Sequence, residues 1–67
     1  MHKGRVKWFD PNKGYGFIEP DDWTQDVYIH VNEIEKMGLK NLIGFQRVEY
    51  DIEKKNDRPT AVNLKLI

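Results

Sequence analysis

Apolar and polar side chains alternate along much of this chain, which is the pattern of half-buried β-strands. The alternation is clearest over residues 47–53, where Val48, Tyr50 and Ile52 share one face and charged residues occupy the positions between them. Successive side chains of a strand point to opposite faces of the sheet. This segment is therefore predicted to be a strand with one face in the core.

Turn-forming clusters divide the rest of the chain into similar short segments. Strands are predicted over residues 5–9, 14–19, 26–31, 47–53 and 60–66. Residues 32–37 predict at most one helical turn, and residues 54–59 predict a polar loop. Five short strands without a long helix indicate an all-β fold, a closed or nearly closed small barrel in a single domain over residues 1–67.

The alternation also assigns side chains to the inside or the outside of this barrel. The aliphatic side chains of Val6, Ile18, Val27, Ile29, Val48, Ile52, Val62 and Leu64 are predicted to form the core. Tyr15 and Phe17 then point outward from the second strand, and Tyr28 and His30 point outward from the third. A barrel of this size cannot bury both sets, and the aliphatic set makes the better core. Four rings are therefore predicted to share the outer surface of neighbouring strands.

Rings on the outside of a sheet, beside positive charge, suit the bases of an unpaired nucleic-acid strand. Lys7 and Lys13, with Lys3 and Arg5, are predicted to lie near the phosphates, and Gly14 and Gly16 to let a base approach the strand. Two roles remain open for Asp26: accepting a hydrogen bond from a base, or starting a strand. His30 is expected to stack on a base rather than to bind a metal.

Composition excludes several other kinds of protein. The 67 residues include two histidines and no cysteine, which excludes a disulfide-built secreted miniprotein and a Cys/His metal site. No run approaches the ~20 apolar residues of a membrane span, and the N-terminus has no apolar signal-like region. We therefore expect a cytoplasmic, soluble monomer with no cofactor.

Charge is unevenly distributed although the net charge is zero. Residues 1–18 carry four basic and one acidic side chain, whereas residues 19–35 carry six acidic side chains and no Lys or Arg. The remaining residues are again net basic. The segment with the most rings is thus a basic one, and the acidic segment is interpreted as a solvated surface.

Three other functions compete with nucleic-acid binding. An enzyme is disfavoured because the chain lacks Ser and Cys nucleophiles, and Glu19, Asp21 and Asp22 cluster in a turn without a cleft. An αβ RNA-recognition module requires two amphipathic helices, for which no segment has the periodicity. A small barrel that binds a proline-rich peptide through the same rings stays an alternative.

The chain resembles the bacterial cold-shock proteins in both of their nucleic-acid-binding motifs, in order and in spacing. The resemblance lies in residues 7–9 (Lys-Trp-Phe), 13–18 (Lys-Gly-Tyr-Gly-Phe-Ile) and 27–30 (Val-Tyr-Ile-His), and extends from Gly4 to about Leu64. It implies a five-stranded antiparallel barrel of the OB-fold type that binds single-stranded, pyrimidine-rich RNA and DNA, acting as an RNA chaperone or modulator of transcription and translation. The implied binding residues are Lys7, Trp8, Phe9, Lys13, Tyr15, Phe17, Asp26, Tyr28 and His30.

The chain departs from the family pattern at a few positions. Asp10 replaces an Asn after the Trp-Phe pair, and Val31 and Leu39 replace aromatic residues. Val31, Leu39 and Arg58 are additional candidate contacts, and the loss of two rings predicts weaker binding. Trp23 lies in the acidic segment outside both motifs, and is expected to pack over one end of the barrel rather than to offer a substitute stacking surface.

Overall fold

A computed structural model describes all residues from 1 to 67. It contains five strands and one short helix: β1 (His2–Asp10), β2 (Tyr15–Pro20), β3 (Val27–His30), α1 (Val31–Glu35), β4 (Arg47–Lys55) and β5 (Arg58–Leu66). All five predicted strands are present, and α1 overlaps the predicted helical turn. At five residues, α1 is far too short to cross a bilayer, and no helix of the chain is long and apolar enough to do so.

The strands close into a barrel in the order β1-β2-β3-β5-β4, which confirms the predicted five-stranded barrel. Four neighbouring pairs are antiparallel, as expected. The closing pair, β3 with β5, is parallel and is joined by one bridge between Tyr28 and Thr60, which corrects the all-antiparallel prediction. The barrel therefore has its fewest paired residues between β3 and β5.

Three strands extend by two or more residues beyond their predicted bounds, because of pairing that the alternation does not reveal. β1 begins at His2 since residues 2–5 pair with β4. β4 and β5 continue to Lys55 and Arg58, which pair across a two-residue turn in place of the predicted loop. The turn residues Asn56 and Asp57 have φ angles of 51° and 60°, as a tight hairpin turn requires.

The core follows the predicted faces with one exception. The predicted residues Val6, Ile18, Val27, Ile29, Val48, Val62 and Leu64 are all buried, and Ile34, Leu42, Tyr50 and Ala61 complete the core. Ile52 is 37% exposed, so its assignment to the core was wrong. β1 covers β4 only from Arg47 to Tyr50, and Ile52 lies in the part of the β4–β5 hairpin that extends past β1.

Trp23 also differs from its prediction. Its side chain is 79% exposed, and its backbone has a φ of 61° in the loop between β2 and β3. The backbone N–H of Trp23 donates to the carbonyl of Pro20 at 3.2 Å, which closes a turn that directs the ring into solvent. Packing over the barrel end is therefore excluded as its role.

Tyr50 is a fully buried phenol at the end of the barrel where β1 begins. Its ring stacks on His2 with a centroid separation of 6.0 Å, and its hydroxyl makes no hydrogen bond within the protein. Burial, followed by the charges of Asp22 and Asp21, raises the pKa of Tyr50 from 10.0 to about 12. The fold thus strongly favours the neutral phenol.

We expect Tyr50→Phe to lose less stability than the parent protein when the pH is raised above 10. The folded state holds the phenolic proton of Tyr50 more tightly than the unfolded chain does. The stability that this proton contributes is therefore intact below pH 10 and is lost as the pH rises from 10 to about 12. The slope for one such group is about 1.4 kcal/mol per pH unit. At neutral pH the variant should be as stable as the parent or up to about 1 kcal/mol more stable, because a buried hydroxyl without a partner is removed.

Denaturant unfolding of both proteins across this pH range measures the difference directly. The two proteins share every other ionisable side chain, so the effects of those side chains cancel in the comparison. Identical alkaline curves, or a marked loss of stability at neutral pH, would contradict the buried, unpartnered phenol.

Candidate nucleic-acid interface

A β-bulge at Lys7 turns Trp8 to the outside of the barrel. Val6 pairs with Ile18 and Trp8 pairs with the adjacent Phe17, so Lys7 is an extra residue in β1. Without it, Val6 and Trp8 would be two residues apart in a regular strand and would share a face. Val6 is instead fully buried while Trp8 is 40% exposed. The bulge therefore places Trp8 on the same face as Phe17.

Gly16 makes this arrangement possible because β1 lies very close to it. A Cβ atom at residue 16 would come within 2.7 Å of the Phe9 Cα and 2.8 Å of the Phe9 Cδ2, and closer still to the Trp8 carbonyl oxygen. Gly16 is buried, so its missing side chain leaves room for β1 and not for a base. This corrects the role predicted for Gly16. Gly14, by contrast, has a φ of 79° in the β1–β2 turn.

Five rings lie together on the outer surface, and we call them the aromatic platform: Trp8, Tyr15, Phe17, Tyr28 and His30. Tyr15 and Phe17 are 5.5 Å from Trp8 between ring centroids. Tyr15 stacks on Tyr28 at 5.7 Å, Phe17 lies 5.8 Å from Tyr28, and Tyr28 lies 6.4 Å from His30. The four rings predicted to lie outside do so, and Trp8 joins them. The result is one continuous surface of rings across β1, β2 and β3.

Among the predicted aromatic contacts, Phe9 alone lies apart from the platform. It follows Trp8 in β1, pairs with Gly16, and packs half-buried against the core. Because neighbouring residues of a strand point to opposite faces, the ring of Phe9 supports the platform from the inner side.

Lys7 and Asp26 contact each other. Their Nζ and Oδ2 atoms are 3.0 Å apart, and their side chains are 50% and 36% exposed. Each had been predicted as a separate contact for a nucleic acid. An exposed ion pair of this kind is worth about 0–1 kcal/mol, so a ligand can separate it at small cost.

Other acidic residues of the 19–35 segment are paired in the same way, which revises their interpretation as a merely solvated surface. The pairs are Arg5 with Glu19, Lys36 with Glu33, and Arg47 with Asp21. The Arg47 guanidinium, which bonds to both oxygens of Asp21, lowers the pKa of that carboxyl. Folding therefore neutralises much of the charge segregation seen along the chain.

Asp10 has a structural task in the turn that leads to Lys13. Its Oδ1 accepts hydrogen bonds from the backbone N–H groups of Asn12 and Lys13 at 2.9 and 3.2 Å, and its carbonyl accepts from Gly14 at 2.8 Å. Two N–H dipoles thus face the extra negative charge of this position. The side chain of Lys13 is exposed beside the turn.

His30 connects the platform to α1. Its Nδ1 accepts a hydrogen bond from the Asn32 backbone N–H at 3.1 Å and so caps the helix. The next residue, Val31, is half-buried against the core, as is Leu39 after α1. These two side chains therefore add no broad apolar surface where the family pattern has rings.

Arg58 lies directly against the platform. Its Cζ is 3.8 Å from the centroid of the Tyr28 ring, a close cation–π contact. Sequence reasoning gave it only as an additional candidate. It did not identify Phe45, which is 71% exposed with a φ of 68° and has the Arg5 guanidinium 5.3 Å from its ring centroid. Phe45 lies just before the predicted fourth strand, and no periodicity marked it.

The chemistry available here is stacking, hydrogen bonding and charge. The described residues include no group of three or more His, Cys, Asp or Glu side chains placed to hold a metal ion. The platform offers ring faces to planar groups, while Lys13, Arg58 and the separable Lys7 offer positive charge to anions.

Comparison with known proteins agrees with this geometry. Residues 2–67 match the family model described as the 'Cold-shock' DNA-binding domain. The chain is 43% identical over 67 residues to cold shock protein CspA of Rhizobium meliloti (strain 1021), with 97% of each chain covered. It is 46% identical over 65 residues to the cold shock-like protein CspC of Shigella flexneri, covering 97% of this chain and 94% of the relative. It is 45% identical over 62 residues to the cold shock-like protein CspE of Escherichia coli (strain K12), covering 92% and 90%. The chain therefore belongs to the family of the cold-shock DNA-binding domain, whose members bind nucleic acid and are not enzymes.

Proposed function

We propose that this protein captures the unpaired bases of single-stranded RNA or DNA on its aromatic platform. The observation that carries the proposal is the continuous set of five outer rings whose neighbouring centroids lie 5.5 to 6.4 Å apart. Each stacked base is worth about 1–3 kcal/mol by alanine substitution. Stacking does not depend strongly on base identity, so the binding is sequence-tolerant. The resemblance to the cold-shock proteins implies, in addition, a preference for pyrimidine-rich segments.

The other site residues take roles that follow from their positions. Lys7, Lys13 and Arg58 bind phosphates, and Asp26, once released from Lys7, accepts a hydrogen bond from a base edge. Phe9 holds Trp8 and Gly16 in place. Val31 and Leu39 give only apolar edge contacts, so we expect weaker binding than a full set of rings would provide.

In the cell, this activity makes the protein an RNA chaperone. Binding the unpaired form shifts RNA hairpins toward melting by mass action, and the same capture modulates transcription or translation. We further propose that the protein acts as a monomer, since the closed barrel leaves its strands paired, and that it works in the cytoplasm, in keeping with its lack of cysteine. The relatives named above are cold shock or cold shock-like proteins, and they give no support to the peptide-binding alternative.

We expect the fluorescence of Trp8 to be quenched when a short oligo-dT is added at low salt. Trp23→Phe is made first so that Trp8 is the only reporter, and Trp8→Phe, which keeps the 79% exposed Trp23, is the matched control and should respond far less. The logarithm of the affinity should fall with the logarithm of salt concentration by about 0.7 per phosphate contact. Absence of quenching, or binding of a proline-rich peptide in preference to the oligonucleotide, would refute the proposal.

A further inference from the structure

A polar groove lies between α1 and the β4–β5 turn, next to the platform. Its volume is about 500 Å³. Apart from the rings of Tyr28 and His30, its lining is polar or charged, and its three cations are Lys36, Lys55 and Arg58. Sequence reasoning had assigned no role to Lys36 or Lys55, which are nearly twenty positions apart in the chain.

The groove has an excess of positive charge. Its only acidic lining residue is Glu33, whose side chain is 9% exposed and bonds to Lys36 Nζ at 2.9 Å and to the Asn63 backbone N–H at 3.2 Å. Burial acts to raise the pKa of Glu33, but the bonds from Lys36 and Asn63 outweigh it and lower the pKa. Glu33 is therefore an ionised carboxylate already matched by Lys36, while Lys55 pairs loosely with Glu53 at 4.0 Å and interacts with Glu33 only through its charge, without a hydrogen bond. Lys55 and Arg58 are left to face an anion.

The groove is continuous with the platform. Tyr28 and His30 belong to both, and Arg58, which covers Tyr28 at 3.8 Å, lines the groove as well. At the two positions after His30 where the family pattern has rings, Val31 and Leu39 pack against the core and offer none. A nucleic-acid strand that lies on the platform thus contacts rings as far as His30 and then reaches the positively charged groove.

We propose that this groove binds the phosphodiester backbone of nucleotides that extend past His30, a second anchoring site for a single strand. The inference rests on the proposed function of the platform and adds the direction in which a longer strand leaves it. A phosphate is the group that fits, because the lining supplies ammonium and guanidinium donors rather than apolar walls for a base.

The test compares Lys55→Gln with Lys54→Gln in the Trp23→Phe background. Lys54 is the adjacent exposed residue of β4 but does not line the groove, so it is the matched control for a general loss of charge. Each protein is titrated with a short oligo-dT that covers only the rings and with a longer one, at several salt concentrations. For the longer oligonucleotide, we expect Lys55→Gln to reduce the slope of log affinity against log salt concentration by about 0.7. Between about 50 and about 200 mM salt, the affinity of this variant should then fall by a factor about threefold smaller than that of the parent.

The two strand lengths separate this inference from the proposed function. The short strand should bind the parent, Lys54→Gln and Lys55→Gln alike. If the parent binds both strands but Lys55→Gln leaves the slope for the longer one unchanged, or if Lys54→Gln lowers it equally, the groove is not an anchoring site and the platform proposal still stands. If the parent binds neither strand, the platform proposal itself fails.

Discussion

Replacing Gly16 by alanine is expected to destabilise this protein by about 3 kcal/mol or more, the upper end of the usual cost of overpacking. The added Cβ would meet backbone atoms of Trp8 and Phe9, with the Phe9 Cα at 2.7 Å, and backbone cannot turn aside as a flexible side chain can. β1 and β2 would have to separate at the bulge that orients Trp8. Domains of this size have roughly 3–10 kcal/mol of stability, so the loss takes much of the total.

Thermal and denaturant unfolding measure this effect, which should lower the Tm by about 12 °C or more. Gly44→Ala is the matched control, because a Cβ there has no atom within 4 Å and the residue lies outside the positive-φ region. It should leave the protein unchanged or up to about 1 kcal/mol more stable. Equal stability of the two variants would mean that β1 and β2 are not held so closely at Gly16.

Phe17→Ala is expected to weaken oligonucleotide binding by about tenfold or more while costing only about 1 kcal/mol of stability. Phe17 is half-buried on the outer face, in contact with Trp8 at 5.5 Å and Tyr28 at 5.8 Å, and is not part of the core. Removing it takes away one stacking surface and also loosens the orientation of its two neighbours. Fluorescence titration gives the affinity and denaturant unfolding gives the stability.

Two further variants make this prediction specific. Phe17→Leu keeps an apolar side chain between Trp8 and Tyr28 but has no ring, so it should retain stability and still lose affinity. Ile43→Ala truncates a 75% exposed apolar side chain between α1 and β4, away from the platform, and should change neither quantity. Full affinity in Phe17→Leu, together with unfolding of Phe17→Ala, would show that Phe17 stabilises the fold and does not stack on bases.

Much of the architecture could be read from the alternation of side chains. Val27 and Ile29 are buried, and Tyr28 and His30 lie between them on the outer face, because a strand with one face in the core leaves no other arrangement. The same reasoning placed Tyr15 and Phe17 beside them. It was wrong for Ile52, since the alternation continues along β4 after the barrel has ended.

The position of Trp8 shows the limit of that reasoning. Regular alternation puts Trp8 on the inner face with Val6, and only the extra residue at Lys7 brings it outside. The resemblance to a family suggested that Trp8 binds, but the reason that it is able to do so is the bulge. A bulge depends on how two strands pair, together with the space left by Gly16, and neither is visible in one strand alone.

By itself, therefore, the sequence determined which segments are strands, which side chains share a face, and that rings and lysines occur together. The tertiary structure alone decided that Lys7 pairs with Asp26, that Trp23 is exposed, and that Lys36, Lys55 and Arg58 line one groove. The physical reason is that the two kinds of interaction act over different distances along the chain. Alternation and turn preference act between neighbouring residues, whereas ion pairs, bulges and grooves are set by contacts between strands that meet only when the barrel closes.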